Sequence, residues 1–287
     1  MQARSALFDL YGDYLRPRGG RAPVAALVRL LAPLGIAAPA VRTAVSRMVR
    51  QGWLLPVRLS AGPGYQLSVK AVHRLDEAAA RIYRIPRPQW DGRFDLIVLG
   101  GRDPVRDATP DRSRLLATLR YLGYGSLDGA TWVAPRPADE VPVVLAEAAV
   151  AYERFAATHA GGSAGVAELV RRAWDLDAIA KAYQQFMDEL EPTVAAITGG
   201  SSDESAYAAR FRLVHSWRTF LFRDPQLPPA LLPAPWPGDT AAAYFDRHEA
   251  RLRPAADRYV ETCLDPAPNS PASNHHHASK GNSGKGL

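Results

Sequence analysis

The sequence predicts an α+β protein with an N-terminal winged helix-turn-helix, a central ferredoxin-like domain and a C-terminal all-helical domain. Three observations predict this order. An arginine-bearing amphipathic helix within residues 39–52 is followed at once by two short strands. Residues 94–159 alternate as strand, helix, hairpin, helix and strand, which is the ferredoxin-like order. Beyond residue 165, the pattern predicts helices only, as far as residue 263.

The domain boundaries follow breaks in this pattern. We expect a winged-helix DNA-binding domain over residues 1–88, a ferredoxin-like domain over 89–160 and a helical domain over 161–265. A proline-containing segment precedes the first boundary, and a glycine-rich stretch, expected to be a flexible break, marks the second. Residues 266–287 contain almost no apolar side chains, so we expect a disordered tail.

The bulk composition is ordinary for a globular protein, with 47% apolar and 22% charged residues. No apolar run is long enough to span a bilayer, and the N-terminus lacks a secretory apolar region. The single cysteine, Cys263, excludes an intramolecular disulfide. We therefore expect a cytoplasmic protein with no membrane partner.

Positive charge is concentrated near the N-terminus. Residues 1–90 carry 13 arginines and one lysine against four acidic residues, a net charge of +10, whereas the whole chain carries +6. The remaining residues are therefore net negative. A polyanionic partner for the N-terminal domain follows as the simplest interpretation.

Three helices are predicted in the N-terminal domain. The first covers residues 3–15 and ends at a pair of glycines, and the second begins after Pro23 and ends at Gly35. The third begins at Pro39 and ends at Gly52. Its apolar face comprises Val41, Ala44, Val45, Met48 and Val49.

The opposite face of the third helix is polar and basic, and it is the main candidate for DNA contact. It comprises Arg42, Thr43, Ser46, Arg47 and Arg50. We expect Arg42 and Arg47 to contact bases, because an arginine fork bonds guanine O6 and N7 together. Arg50 is expected to bind phosphate, while the two hydroxyl side chains can reach phosphates or base edges. The alternative is that some of these arginines face only solvent or a partner subunit.

The wing is predicted as strands at residues 54–58 and 65–69, joined by a loop over residues 60–64. Arg58, Tyr65 and Gln66 are its candidates for phosphate or minor-groove contact. A linker helix over residues 72–83 follows.

The central domain is predicted from strands at 94–99, 126–127, 131–134 and 152–159, with helices at about 111–122 and 141–150. The Asp-Gly pair at 128–129 favours a tight hairpin turn. The later helices are predicted at 166–173, 176–197, 206–222 and 240–263.

Three blocks of the sequence resemble the PaaX family of bacterial transcriptional regulators, which control phenylacetate catabolism and related aromatic pathways. The blocks are AVRTAVSRMVRQGWL at residues 40–54, LRYLGYGSLDGATW at 119–132 and RLVHSWRTFLFRDP at 212–225. Short proline-containing motifs up to residue 238 complete the third block. The blocks occur in the family's order, and the resemblance spans about residues 5–262.

The resemblance implies a homodimer that binds double-stranded operator DNA and represses transcription until an acyl-coenzyme A thioester, such as phenylacetyl-coenzyme A, binds. With the homodimer that it implies, we assign dimerisation to the ferredoxin-like domain over residues 89–160. We predict no cofactor. The candidate effector contacts are cationic and aromatic side chains that can pair phosphates or stack on an acyl or adenine ring: Arg120, Tyr124, Trp132, Arg210, Arg218 and Arg223. The alternative for each is a structural role, as a core ring or as one half of an internal ion pair.

A second hypothesis is an enzyme that acts on acyl thioesters or nucleic acid, with the winged helix as an accessory. The central domain of this family resembles a small CRISPR-associated nuclease, but Asp95 is the single carboxylate of the first strand here. His215 and Ser216 adjoin on a helix, so their side chains point about 100° apart and do not form a triad. We therefore predict no catalytic residues and no metal site. A third hypothesis, a winged helix that binds only protein, conflicts with the N-terminal charge.

Overall fold

The computed structural model describes residues 1–82, 89–100 and 110–265. It contains helices and two antiparallel sheets, which confirms the α+β class. The predicted domain boundary before residue 89 and the predicted disordered tail lie outside the described residues.

The first predicted helix is not a single α-helix. Helix α1 (Ala3–Leu10) continues as a π-helical turn (Tyr11–Leu15) and then as a turn of 3-10 helix. Such a turn interrupts the regular hydrogen-bond ladder, which residue periodicity does not reveal. A Cβ on Gly12, within the π-helical turn, would lie 3.3 Å from Arg218 Nη1. The glycine therefore permits a close approach by a side chain from the C-terminal part of the chain.

The other two N-terminal helices lie where they were predicted. Helix α2 (Val24–Leu31) begins directly after Pro23, and helix α3 (Ala38–Arg50) has Pro39 in its first turn. Proline is favoured there because the first turn leaves N–H groups unbonded in any case.

The N-terminal sheet has three strands, one more than predicted: β1 (Arg21–Pro23), β2 (Leu54–Leu59) and β3 (Gly62–Leu67), in the order β1-β3-β2. The predicted five-residue wing loop is wrong, because Leu59 pairs with Gly62 and only Ser60 and Ala61 form the turn. The strand β1 escaped prediction because it is three residues long and ends in proline.

Gly64 explains how a glycine-rich segment forms the middle strand. A Cβ at this position would lie 2.6 Å from the carbonyl oxygen of Ala22 in β1. The absence of a side chain therefore allows β1 and β3 to pair closely. Pro63 lies beyond the last residue pair with β1, so its missing N–H costs that pairing nothing.

The next elements form the second sheet. Helix α4 (Val69–Ile82) precedes β4 (Phe94–Leu99), α5 (Pro110–Tyr121), β5 (Gly125–Ser126), β6 (Thr131–Ala134), α6 (Val141–Glu147) and β7 (Tyr152–Ala157). The sheet order is β5-β6-β4-β7, with every neighbouring pair antiparallel. This places the first and third of the four strands in the centre. Helix α6 and strand β7 are shorter than predicted.

Four helices complete the described chain: α7 (Gly162–Ala173), α8 (Leu176–Ala195), α9 (Asp203–Arg218) and α10 (Pro237–Leu264). The predicted flexible break at 160–165 is wrong over most of its length, because α7 begins at Gly162. Helix α9 was predicted to extend to residue 222, but its last four predicted residues form a 3-10 turn (Thr219–Phe222).

The cores connect the N-terminal and C-terminal elements. The core under α3 also contains Tyr207 and Phe211 of α9 and Ala256 and Val260 of α10. The N-terminal elements are therefore packed on the helices near the end of the chain. The exact division into domains remains a prediction.

Candidate nucleic-acid interface

The polar face of α3 is exposed along the helix. Arg42, Thr43, Ser46, Arg47 and Arg50 are all exposed, whereas Val41, Ala44, Val45 and Met48 on the other face are buried. Within the described parts of the chain, no hydrogen bond or ion pair engages the three guanidinium groups. The hydroxyl of Ser46 donates to the carbonyl oxygen of Arg42 at 3.0 Å. This surface therefore presents three cations and two hydroxyls on one side of one helix.

The turn after α3 holds the sheet against the helix. Gly52 has a φ of +70°, a left-handed conformation that favours glycine, and the N–H of Trp53 donates to the carbonyl of Met48 at 2.9 Å. The ring of Trp53 packs edge-on against Phe8 of α1, and the ammonium group of Lys70 lies 4.7 Å from the indole centroid. Helix α1, helix α3 and strand β2 are thereby held together.

The predicted wing residues do not share one face of the sheet. Pro56 pairs with Tyr65, and Arg58 pairs with Pro63, so alternation along the strands places Arg58 and Tyr65 on the same face. Gln66 points to the opposite face. Arg58 is exposed, while Tyr65 and Gln66 are half-buried. The carbonyl of Tyr65 also accepts a hydrogen bond from the hydroxyl of Tyr11 at 3.0 Å.

One exposed cation on this sheet was missed. Arg21 of β1 lies directly opposite Gln66 and is exposed. Its place on the sheet could not be inferred because β1 itself was not predicted. The charge count of the first 90 residues was the only signal that included it.

Two cavities lie away from α3. The first, which we call the central cavity, has a volume of about 460 Å³ and lies between the second sheet and helices α7 and α8. Arg120, Tyr124 and Arg223 of the predicted effector contacts line it. Arg120 is exposed and lies 5.4 Å from the ring of Trp132, whereas the hydroxyl of Tyr124 donates to the buried carboxylate of Asp95. Burial and then this hydrogen bond raise the pKa of Tyr124, so its phenol remains a donor.

The second cavity, which we call the junction cavity, has a volume of about 520 Å³. It is lined by α1, by Trp53 after α3, by α4, by Tyr121 of α5, and by α9 with its 3-10 continuation. Arg218 and Arg223 of the predicted effector contacts line it. The two cavities share Phe222 and Arg223, so one extended ligand could contact both.

Two of the predicted effector contacts are buried away from both cavities. Trp132 is 1% exposed, lines neither described cavity and donates its indole N–H to the carbonyl of Gly129 at 3.3 Å. Arg210 is also 1% exposed and is ion-paired with Asp13 and Glu249. Burial lowers the pKa of Arg210, but Tyr14 and the two carboxylates raise it by more, so the side chain is charged. Both residues have structural roles.

Comparison with known proteins supplies the family. Residues 2–71 match the PaaX-like protein family, and residues 174–262 match the PaaX-like protein C-terminal domain. Transcriptional repressor PaaX of Escherichia coli (strain K12) is 31% identical over 280 residues, covering 93% of this chain and 87% of that protein. The chain belongs to the PaaX family. The N-terminal match includes helices α1–α3 and the whole three-stranded sheet.

A solved structure shares the fold of this PaaX family member. The uncharacterised protein Rv0674 from Mycobacterium tuberculosis has a TM-score of 0.58 and 22% identity, covering 90% of this chain and 98% of that one. At this level of identity, the likeness concerns the fold alone.

The expectation that the chain is a regulator and not an enzyme is confirmed at the level of the PaaX family. Asp95, the single carboxylate of the first strand of the second sheet, has a structural environment, because Tyr124 and Arg154 both bond it, the latter through Nε at 2.9 Å. Among the residues that the structure describes, no group of three or more histidine, cysteine or acidic side chains could hold a metal ion. No described helix is both long and apolar enough to cross a membrane.

Proposed function

We propose that this PaaX-family protein is a homodimeric transcriptional repressor that binds operator DNA and leaves it when an acyl-coenzyme A thioester, such as phenylacetyl-coenzyme A, binds. The regulated genes would serve the breakdown of an aromatic acid. The observation that carries the proposal is the exposed basic face of α3 above a buried apolar face. The repressor function of the Escherichia coli relative supports it.

The DNA-binding unit in this proposal is a winged helix-turn-helix made of α1, α2, α3 and the three-stranded sheet. Arg42 and Arg47 contact base edges in the major groove, with Thr43 and Ser46 on base edges or phosphates. Arg50 binds a phosphate, and Arg58 contacts the flanking backbone from the wing. Tyr65, half-buried on the same face as Arg58, is a secondary candidate, whereas Gln66 lies on the opposite face and is not proposed as a contact. Because the proposed partner is operator DNA, we propose a cytoplasmic location for the protein.

Two copies of α3 in a homodimer would occupy two half-sites, one helical turn or a multiple of it apart. The effector must favour a geometry in which the two helices no longer match both grooves, because a ligand with equal affinity for the two geometries shifts nothing. A decrease of about 100-fold in operator affinity requires a coupling free energy of roughly 2.7 kcal/mol. Arg120 and Tyr124 of the central cavity, Arg218 of the junction cavity and Arg223 of both are the proposed effector contacts.

The proposal is tested by footprinting the DNA upstream of the gene and its neighbours with the full-length protein. We expect two protected patches related by a two-fold axis, which disappear when phenylacetyl-coenzyme A is added. Sedimentation of the free protein should give the mass of a dimer. Absence of any protected, salt-sensitive patch would reject DNA binding. Protection that persists in every acyl-coenzyme A thioester would reject the effector while leaving the repressor intact.

A further inference from the structure

The junction cavity lies where the N-terminal and C-terminal elements meet. Its volume of about 520 Å³ falls within the range of about 300–1,000 Å³ of small-molecule sites. Helix α1, which forms one wall, also packs on α3. A ligand in this cavity would therefore touch the element that supports the proposed recognition helix.

The lining of the cavity favours an anion that carries an aromatic or acyl group. Its ionisable side chains, within the described residues, are four arginines, one histidine and one aspartate: Arg4, Arg74, Arg218, Arg223, His215 and Asp9. Arg4, Arg218 and Arg223 alone outnumber Asp9, and a ligand group that displaces Asp9 would meet all three of these arginines. The lining therefore matches a polyanion better than a monocarboxylate.

Aromatic rings lie among these cations. Tyr121 packs against Phe222 with ring centroids 5.6 Å apart, and the guanidinium of Arg74 lies 4.6 Å from the centroid of Tyr121. Phe222 is 68% exposed, which is unusual for so large an apolar side chain. A planar or acyl group could cover this exposed ring while its charges bind the arginines.

Asp9 holds the two donors that an incoming anion would need. Its carboxylate, 6% exposed, is bonded by Nη1 of Arg218 at 2.8 Å through Oδ1 and by Nδ1 of His215 through Oδ2. Both donors belong to α9, and all three residues line the cavity. The carboxylate of α1 therefore occupies the place that a bound anion would take.

We propose that the junction cavity holds the anionic end of the effector and that the anionic group of this polyanionic acyl or aryl ligand displaces Asp9 from Arg218 and His215. The displaced carboxylate is left buried without a partner, which is unfavourable unless it reaches water. Helix α1 must move for that to happen. Because α1 supports α3, this exchange repositions the recognition helix.

A second ion pair limits the movement to one end of the interface. Asp13, four residues after Asp9, is bonded by Arg210, which is buried away from both cavities. This deeper link is out of reach of the ligand. The exchange therefore pivots α1 about the Asp13–Arg210 pair and does not detach it from α9.

The binding part of this proposal is tested without DNA, by isothermal titration of the full-length protein with phenylacetyl-coenzyme A and with phenylacetate. We expect the thioester to bind and phenylacetate to bind at least tenfold more weakly. Arg218→Gln should weaken thioester binding by at least tenfold, and Arg4→Gln should weaken it by about threefold. The matched control Arg171→Gln, an exposed arginine of α7 paired with Glu168, should leave it unchanged.

The exchange itself is tested with Asp9→Asn, which keeps the shape of the side chain but removes the competing charge. We expect this variant to bind the thioester about tenfold more tightly and its operator more weakly, even without ligand. A purely structural role for Asp9 would give unchanged or weaker thioester binding, which would overturn the exchange. Three other results would also overturn the proposal. They are wild-type protein that binds neither probe, wild-type protein that binds phenylacetate as tightly as the thioester, and an Arg218→Gln variant whose thioester affinity is unchanged.

The operator readout depends on the proposed function, whereas the titrations do not. Failure of the wild-type protein to bind DNA would reject the proposed function, and thioester binding sensitive to Asp9→Asn would still support the site. If the wild-type protein binds its operator normally but neither Asp9→Asn nor Arg218→Gln changes the thioester affinity, the proposed site is rejected while the proposed function stands. Thermal melting of each variant shows that affinities are compared between folded proteins.

Discussion

Helices α3 and α9 both carry arginines, but the three of α3 face outward whereas two of those in α9 face inward. In α3, the guanidinium groups of Arg42, Arg47 and Arg50 are exposed. In α9, the side chains of Arg210 and Arg218 are 1% and 14% exposed, and each is bonded to a carboxylate of the N-terminal region. The residue type alone does not separate a DNA contact from a structural link. What separates them is whether tertiary packing brings a carboxylate to the arginine.

This difference explains which predictions could succeed. Helix α3 has one buried and one exposed face, and that periodicity is visible in any amphipathic sequence. Helix α9 lies between the N-terminal core and the C-terminal core, and nine of its sixteen residues are buried. It has no continuous polar face for periodicity to detect. The carboxylate partners of Arg210 lie 197 and 39 residues away in the sequence, so no local sequence pattern predicts these ion pairs.

The largest expected effect belongs to the buried arginine. Arg210→Ala would leave Asp13 and Glu249 with uncompensated negative charge, and we expect the free energy of unfolding to fall by about 3–5 kcal/mol. Chemical denaturation monitored by circular dichroism measures this. Arg171→Ala, which removes an exposed arginine, should change stability by less than about 0.5 kcal/mol. Equal stabilities of the two variants would contradict the structural assignment of Arg210.

The next effect belongs to the exposed face of α3. Arg47→Ala should weaken operator binding by about 1–3 kcal/mol, since it removes the proposed bidentate contact with guanine, and it should leave the melting temperature nearly unchanged. Fluorescence anisotropy with operator and scrambled duplexes measures affinity and specificity together. An unaltered operator affinity would remove Arg47 from the interface.

A smaller effect is expected at the C-terminal end of the same helix. Arg50→Ala should weaken binding to operator and scrambled duplexes alike, because the proposed contact is a phosphate. The slope of log affinity against log salt should become shallower by about one unit. The same slope as the wild type, combined with a loss of specificity, would assign Arg50 to a base instead.

The smallest effect concerns the wing. Arg58 and Gln66 point to opposite faces of the sheet, so at most one of them can meet the same stretch of DNA backbone. We expect Arg58→Ala to lower operator affinity a few-fold and Gln66→Ala to leave it unchanged. The reverse result, measured by the same anisotropy assay, would indicate that the other face of the sheet contacts DNA.

The fold was more predictable than the site. Most helices, and the alternation of strands and helices along the part of the chain that forms the second sheet, follow from apolar spacing and turn residues. The π-helical turn and the strand β1 did not, because close packing around Gly12 and Gly64 depends on residues distant in sequence. The early start of α7 did not either, because its first turn contains glycines, which local propensity disfavours in a helix. The junction cavity was the least predictable feature. It is lined by five separate segments of the chain. Asp9, the single aspartate among its described lining residues, was not predicted as a site residue.

The central claim is that the exposed face of α3 enters duplex DNA, and site-directed photocrosslinking tests it most directly. Burial raises the pKa of the Cys263 thiol and keeps it unreactive, so Ser46→Cys can be labelled selectively with an aryl azide. Ser113→Cys on α5 is the exposed control. The account predicts crosslinks from position 46 to operator bases, lost when an unlabelled operator competes, and none from position 113. Crosslinking from position 113 with none from position 46 would contradict it.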